Sequence, residues 1–204
     1  MSTLPQFDIM TQPRVLQMRP QMTEDEFWTF CRQNDELRIE KTKEGFISIM
    51  SPTGGLTGSG NAEITMQLGI WWKQHKRGMV FDSSAGFYLP DGSMLSPDGA
   101  YLSEERLKAL SHDDLRRFPH VCPDFVIELT SETDPLKAVQ AKMVNSWMAN
   151  GALLGWLVDP KDKQALIYRL GKAPECFTGK LLIGEGPVDG FVLDLSEVWA
   201  RYEK

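Results

Sequence analysis

The sequence lacks the features that mark membrane, secreted and metal-stapled proteins. It has no apolar run long enough to cross a bilayer, and residues 1–20 lack the basic start and apolar core of a secretory signal. Its three cysteines, Cys31, Cys122 and Cys176, show no CxxC spacing, so we expect reduced thiols, neither zinc ligands nor disulfide partners. These absences predict a cytoplasmic protein with no membrane association.

Several catalytic signatures are also missing. The three histidines do not cluster at metal-ligand spacing, no serine has the surroundings of a catalytic triad, and the glycine-rich stretch 52–60 lacks the Gly-Lys-Ser/Thr of a phosphate-binding loop. We therefore interpret that stretch as a mobile loop beside a site. The net charge of −6 argues against tight, metal-free binding of nucleic acid, but not against carboxylates that bind cations.

The composition is that of an ordinary globular protein, with 42% apolar and 25% charged residues in a chain of 204. We predict an extended N-terminal arm over residues 1–20 and a single domain over residues 21–204. Periodicity and turn residues predict helices at 23–32, 61–76, 103–118, 135–150 and 195–202, and strands at 37–41, 46–50, 79–89, 94–102, 125–129, 153–158 and 164–170. From residue 61 the order helix, strand, strand, strand, helix, strand predicts a mixed β-sheet flanked by helices, an α/β or α+β fold.

Acidic residues on two predicted strands are candidate metal ligands. Asp124 and Glu128 share one strand face but lie about 13 Å apart at about 3.3 Å per residue, so one small ion cannot bridge them. Asp98, on the preceding strand, is the better partner for Glu128, because neighbouring strands are only about 4.8 Å apart. Asp98 also suits a turn, and Glu128 a buried ion pair. Asp124 fits a strand start or a supporting contact better than a direct ligand.

Two further residues have both a catalytic and a plain structural interpretation. Lys142 lies on the predicted helix 135–150 among small residues that would let its ammonium reach the sheet, although a solvated surface lysine is the usual alternative. Glu63 lies near the start of the helix 61–76, where it either favours the helix dipole or adds a carboxylate to a metal site. Two carboxylates that hold a divalent cation, with a lysine to neutralise charge on a phosphate, suit phosphodiester hydrolysis.

Five ordered segments resemble the Uma-two family of restriction-endonuclease-like nucleases over about residues 20–200. They are residues 49–55 (IMSPTGG), 96–98 (SPD), 123–129 (PDFVIEL), the helix with Lys142, and residues 156–160 (WLVDP). The resemblance implies the PD-(D/E)XK nuclease fold, in which a mixed β-sheet is flanked by helices. It also implies an endonuclease that hydrolyses DNA with Mg²⁺ or Mn²⁺, and a homodimer would suit the cutting of both strands of a duplex.

Carried over to this sequence, the resemblance implies that Asp98 and Glu128 bind the metal and that Lys142 is the catalytic lysine. In the usual pattern the lysine lies two residues after the acid, which is Thr130 here, so the resemblance implies that the lysine has moved to the helix. Glu63 would complete the metal site. The departure at Thr130 and the acidic net charge keep a second hypothesis open, in which the chain is a non-catalytic binding or assembly module that retains the nuclease fold.

Overall fold

The computed structural model describes residues 15–18, 22–132 and 134–203, and of residues 15–18 only the backbone. The strands within these residues are β1 (Val15–Met18), β2 (Arg38–Lys41), β3 (Ile47–Met50), β4 (Met79–Asp82), β5 (Phe87–Tyr88), β6 (Met94–Leu95), β7 (Gly99–Leu102), β8 (Phe125–Leu129), β9 (Leu154–Asp159), β10 (Gln164–Arg169), β11 (Glu175–Phe177), β12 (Leu181–Ile183) and β13 (Val192–Asp194). The helices are α1 (Glu24–Gln33), α2 (Gly55–His75), α3 (Glu104–Lys108), α4 (His112–Leu115), α5 (Leu136–Lys142) and α6 (Leu195–Trp199), with a π-helical turn at Met143–Met148 and a 3-10 turn at Gly186–Val188.

A six-stranded sheet forms the centre of the molecule, in the order β11-β10-β9-β8-β7-β4. In this sheet β8 and β9 run parallel, and the other neighbouring strands are antiparallel. A parallel pair needs a crossover connection, which α5 and the π-helical turn supply. The chain from α2 onward follows the predicted order helix, strand, strand, strand, helix, strand. The predicted mixed sheet flanked by helices is therefore confirmed.

Other elements cover both faces of the central sheet, and β8 accordingly has apolar side chains on both of its faces. Phe125, Ile127 and Leu129 pack with α2, α6 and the β12–β13 pair, whereas Val126 packs with the π-helical turn. This alternation is the one that the two-residue period of a strand predicts. It directs Glu128 to the side of the sheet that carries α5 and the π-helical turn.

A smaller sheet has the order β1-β3-β2-β6-β5. The prediction of two long strands at 79–89 and 94–102 is wrong, because each is broken in two and the inner pieces, β5 and β6, join this smaller sheet. Ser84 turns the first strand by donating its backbone N–H and its hydroxyl to Asp82 Oδ1, at 2.9 and 2.6 Å. Pro97 interrupts the second. The segment 96–98 therefore passes from the smaller sheet to the central one.

α2 begins six residues before its predicted start, inside the glycine-rich stretch. The predicted mobile loop is therefore wrong for residues 55–60. Gly60 faces the sheet, where a β-carbon would lie 2.8 Å from Leu129 Cδ2 and 3.0 Å from Tyr202 Oη. The glycine thus lets α2 approach β8 closely, and this packing outweighs the poor intrinsic helix propensity of glycine.

Other predicted elements are shortened or divided. The predicted helix 135–150 divides into α5 and the π-helical turn, and the predicted helix 103–118 into the short α3 and α4. Of the predicted N-terminal arm, residues 15–18 pair with β3 as the strand β1, and the rest of that prediction lies outside the described residues. None of the helices in the described part of the chain combines the length and hydropathy needed to cross a membrane.

Candidate active site

Asp98 and Glu128 lie opposite each other where two neighbouring antiparallel strands meet. The register of β7 and β8 pairs Gly99 with Ile127, and the backbone N–H of Asp98 donates to the Ile127 carbonyl at 3.0 Å. The next pair outward is therefore Asp98 with Glu128. Opposed residues of an antiparallel pair share one face of the sheet, and both carboxylates are buried. Strand pairing thus brings the two predicted acids together.

Three donors surround the Asp98 carboxylate. Its Oδ1 accepts hydrogen bonds from Arg38 Nη1 and Asn61 Nδ2, each at 3.1 Å, and its Oδ2 accepts one from the backbone N–H of Leu129 at 2.8 Å. Arg38 reaches the site from β2 and also donates from Nη2 to the Ser96 carbonyl at 2.7 Å. The Asp98 carboxylate is therefore fixed where α2, the smaller sheet and the end of β8 meet.

The Lys142 ammonium lies between two glutamates. Its Nζ is 2.9 Å from Glu128 Oε1, 3.1 Å from Glu40 Oε1 and 3.5 Å from the Ser96 carbonyl oxygen. Glu40 Oε1 also accepts the backbone N–H of Ser96 at 3.1 Å. Within the described residues, every hydrogen bond to Glu40 and Glu128 uses Oε1, so both Oε2 atoms carry none. The ammonium thus reaches the sheet, as the small residues beside it on the helix predict.

The π-helical turn brings a second donor to Glu128. Trp147 Nε1 donates to Glu128 Oε1 at 2.6 Å, the same oxygen that Lys142 contacts. In the turn the Ala149 N–H donates to the Val144 carbonyl at 3.1 Å, so residues five apart come to lie one turn above each other. Lys142 and Trp147 are five apart. The π-helical geometry therefore directs both side chains toward one carboxylate oxygen.

Arg38, Glu40, Asn61, Asp98, Glu128, Lys142 and Trp147 form one charged cluster. In it, burial and the nearest opposite charge act in opposite directions on the pKa of Glu128 and on that of Lys142. Burial raises the pKa of Glu128 and the Lys142 ammonium lowers it, but the neighbouring carboxylates add to the rise, so the net direction is upward. Burial lowers the pKa of Lys142, but the charges of Glu128 and Glu40 outweigh it and hold that pKa above its ordinary value. Lys142 is therefore charged at neutral pH, and Glu128 binds a proton more readily than an exposed glutamate does.

The acid predicted from α2 has partners elsewhere. Glu63 Oε2 lies 2.6 Å from Arg201 Nη2, and Glu63 Oε1 accepts from Gln67 Nε2 at 3.0 Å. No described contact joins Glu63 to the two carboxylates of the site. Residues two apart on a helix point in nearly opposite directions, so it is Asn61 that α2 presents to Asp98. Glu63 instead stabilises the contact between α2 and the C-terminal segment.

Asp124 and Thr130 flank β8 and also have structural partners. Asp124 Oδ1 lies 3.0 Å from Arg106 Nε, and its Oδ2 accepts the backbone N–H of Ser103 at 2.7 Å. It therefore anchors the start of α3 at the opposite end of β8 from the site, which agrees with its interpretation as a strand-start residue. Thr130, at the usual position of the lysine, donates from Oγ1 to Asp159 Oδ1 at 3.3 Å.

The sequence patterns considered above do not identify four residues of the cluster: Arg38, Glu40, Asn61 and Trp147. Arg38 and Glu40 alternate with the buried Ile39 on β2, so two opposite charges on one strand face are a usable signal. A buried tryptophan N–H needs an acceptor, which makes Trp147 a second signal. Asn61 gives no such signal, because a polar residue at the predicted start of a helix is ordinary.

Comparison with known proteins identifies the family and the fold of the chain. The Uma2 family model, described as "Putative restriction endonuclease", matches residues 24–196. The crystal structure of a putative nuclease belonging to DUF820 from Anabaena variabilis ATCC 29413 superimposes with a TM-score of 0.69 at 18% identity, covering 88% of this chain and 98% of that chain. At this identity the likeness shows the fold alone, and no curated protein matches the chain. The fold is therefore that of a restriction-endonuclease-like nuclease, and the chain belongs to the Uma2 family of putative restriction endonucleases.

Proposed function

We propose that this chain is a divalent-metal-dependent endonuclease that hydrolyses phosphodiester bonds in DNA. One observation carries the proposal: Asp98, Glu128 and Lys142, which are far apart in the sequence, come together in one charged cluster. Membership of a restriction endonuclease family points to the same chemistry. Burying several charges is costly for folding, and shifted pKa values of this kind concentrate at functional sites.

Asp98 and Glu128 are the residues that would hold Mg²⁺ or Mn²⁺. Mg²⁺ takes one or two carboxylates and keeps several of its waters, so an oxygen-only donor set fits it. The Oε2 atoms of Glu128 and Glu40 are not used in any hydrogen bond of the described residues, and they offer two further oxygens. When bound, the ion would lower the pKa of a water molecule and stabilise charge on the phosphate oxygens.

The roles of the remaining residues follow from their charges and contacts. Lys142 is charged at neutral pH, and it supplies a fixed positive charge where negative charge grows on the phosphate during hydrolysis. Arg38 holds the Asp98 carboxylate, and Trp147 holds the Glu128 carboxylate. Arg38 and Trp147 are therefore positioning residues in this proposal.

Cleavage assays on variants of nearly unchanged shape test the proposal. Asp98→Asn and Glu128→Gln remove one charge each, and Lys142→Met removes the ammonium. With supercoiled plasmid and single-stranded DNA in Mg²⁺ or Mn²⁺, we expect wild-type cleavage that EDTA abolishes, and a loss of roughly 100-fold or more in each variant. Asp162→Asn, at an exposed acid, should cleave like the wild type. Equal cleavage by the wild type and every variant would remove the assignment.

A second function, a non-catalytic binding or assembly module with the nuclease fold, is favoured by two observations. Each acid of the site already has a cationic partner, Asp98 with Arg38 and Glu128 with Lys142. In addition, the described residues contain no group of three or more His, Cys, Asp or Glu side chains placed to hold a metal. Titration calorimetry with Mg²⁺ and Mn²⁺ separates the two functions, because a folded protein that binds neither ion at neutral pH would be the module.

Oligomeric state and cellular location stay predictions from the sequence. A homodimer would set one site against each strand of a duplex, and light scattering of the purified protein measures it directly. The cytoplasmic location rests on the cysteine pattern and on the lack of a membrane-spanning run and of a secretory signal in the sequence. Cell fractionation checks it.

A further inference from the structure

An open cleft of about 660 Å³ adjoins the charged cluster. Its walls come from α1, from residues 35–39 and 51–53, from residues 83–87, and from Leu115 with residues 117–119. Arg38, Asn61 and Ser96 line the cleft and also belong to the cluster. A ligand in the cleft would therefore touch side chains that hold Asp98. The volume falls in the range of about 300–1,000 Å³ for pockets that enclose a small ligand, which is room for a nucleotide but not for a duplex.

Two polar atoms among the cleft-lining residues are buried and have no hydrogen-bond partner in the described parts of the chain. They are Asn61 Oδ1 and Arg38 Nε, and Asn61 as a whole is only 9% exposed. Buried polar atoms nearly always have partners, so this pair is an unmet capacity for hydrogen bonding. Both atoms are shielded from solvent, so they lie behind the cleft wall, and a ligand would reach them only after the wall rearranges.

Aromatic rings and arginines form another part of the wall. Trp28 and Phe118 meet edge to face with 4.9 Å between ring centroids, and the Arg117 guanidinium lies 5.5 Å from the centroid of the Trp28 ring. Both rings are only half-buried. Arg32, Arg38 and Arg117 line the cleft together with Asp35 and Glu36. Arg38 pairs with Asp98 at 3.1 Å and Arg117 with the exposed Asp25 at 2.6 Å, so of the three only Arg32 has no acidic partner among the described residues. Half-buried rings beside arginines are typical of sites that stack an unpaired base and hold its backbone.

We propose that the cleft binds one unpaired nucleotide of the substrate, stacked at Trp28, and that the adjoining phosphodiester then lies at Asp98 and Glu128. The substrate class is therefore single-stranded DNA, or DNA with locally unpaired bases, rather than intact duplex. A base that enters the cleft and stacks on Trp28 has left the stack of a duplex, so an intact duplex would first have to unpair there. This inference rests on the proposed nuclease function and narrows its substrate.

Equilibrium binding tests the inference without relying on cleavage. Fluorescence anisotropy in EDTA and low salt compares a fluorescein-labelled single strand, the perfect duplex of the same sequence, and a duplex with a central run of mispaired bases. We expect the single strand and the mispaired duplex to bind roughly tenfold more tightly than the perfect duplex, the difference that one stacked base supplies.

Four variants locate the binding in the cleft. Trp28→Ala should weaken single-strand binding roughly tenfold and leave the weaker duplex binding unchanged. Arg117→Ala should weaken it too, whereas Arg116→Ala, at an exposed neighbour outside the cleft lining, should bind like the wild type. Because Trp28→Ala also removes packing from α1, circular dichroism checks its fold. Arg32→Ala gives a second measure, since Arg32 lines the cleft and is exposed.

The outcomes separate the inference from the proposed function. A perfect duplex that binds as tightly as the single strand, or Trp28→Ala and Arg32→Ala variants that bind the single strand like the wild type, would overturn the inference. Selective single-strand binding without metal-dependent cleavage would keep the cleft site and remove the endonuclease. Metal-dependent cleavage that is equal on both substrates and insensitive to Trp28→Ala would remove the cleft site and keep the endonuclease.

Discussion

The substitution Lys142→Met removes an ammonium that lies 2.9 Å from Glu128 Oε1 and 3.1 Å from Glu40 Oε1, and it keeps a flexible apolar chain in its place. Removing one partner of a buried ion pair costs about 3–5 kcal/mol. The Lys142 side chain is 22% exposed, so solvent screens part of the interaction. We therefore expect the free energy of unfolding to fall by about 2–3 kcal/mol, which lowers Tm by about 4–12 °C for a chain of this size.

A divalent ion should reverse this loss, because it supplies the positive charge that the variant lacks. In the wild type the ammonium competes with the ion for Glu128, and in Lys142→Met it does not. Melting curves in EDTA and at increasing Mn²⁺ should therefore show a larger rise in Tm for the variant, while its DNA cleavage stays low. Lys137→Met, at an exposed lysine of the same helix, should match the wild type in both assays.

The pH dependence of the variant follows from the raised pKa of Glu128. A carboxyl group whose pKa is raised on folding binds its proton more tightly in the folded chain, so the free energy of unfolding rises as the pH falls through that pKa. The ammonium lowers the pKa of Glu128, and its removal should raise that pKa further. The stability deficit should then shrink between neutral pH and the ordinary pKa of glutamate.

Titration of Lys142 does not produce the shrinking of the stability deficit. The pKa of Lys142 is raised, so the stabilisation that its charge provides is lost only in alkaline solution. Urea unfolding at a series of pH values measures the deficit directly. A variant that is as stable as the wild type in EDTA would refute the reasoning, and so would a deficit that grows on acidification.

Three other outcomes follow from the structure. Trp147→Phe removes the N–H that holds Glu128 and should weaken Mn²⁺ binding in calorimetry roughly tenfold or more, with near-ultraviolet circular dichroism as the check on folding; an unchanged affinity would contradict the positioning role. Gly60→Val places a branched side chain between α2 and β8 and should lower the free energy of unfolding in urea by about 1–3 kcal/mol; an unchanged stability would contradict the close approach of the two elements. With a thiol reagent, the exposed Cys176 should react at once. Cys122, whose thiol pKa burial raises to about 12, should react only after unfolding. Equal rates of reaction for the two thiols would contradict the burial of Cys122.

The central sheet and the meeting of its two acids can be predicted because the information is local. The apolar run of β8 lies within five residues, and β7 is the preceding strand of the same sheet. Pairing of such consecutive strands is common, so the proximity of Asp98 and Glu128 follows from it. Lys142 follows in turn, because the crossover from β8 to β9 must lie against this sheet.

The cationic and carboxylate partners could not be predicted in the same way, because they are contributed from far along the chain. Arg38 lies 60 residues from Asp98, and Glu40 lies 102 residues from Lys142. Both are on β2, and no local pattern shows that the segment 96–98 would join the two sheets. The π-helical turn is also a result of tertiary contacts, since the buried Trp147 finds its acceptor on β8. The apolar period of residues 135–150 predicts an α-helix there instead.

If the proposed function holds, the sign of the charge in the cluster decides how this acidic protein approaches DNA. Glu40, Asp98 and Glu128 oppose Arg38 and Lys142, which leaves one uncompensated negative charge beside a polyanionic substrate. A divalent ion reverses that sign, and salt screens the change little because the carboxylates are buried. The scissile phosphate should therefore enter the site only together with the ion, while Arg32 and Arg117, which line the cleft outside the cluster, can hold the neighbouring nucleotide without it. Since the same acids repel the phosphate and attract the ion, metal binding and phosphate binding are reciprocally linked, and each should strengthen the other by the same factor.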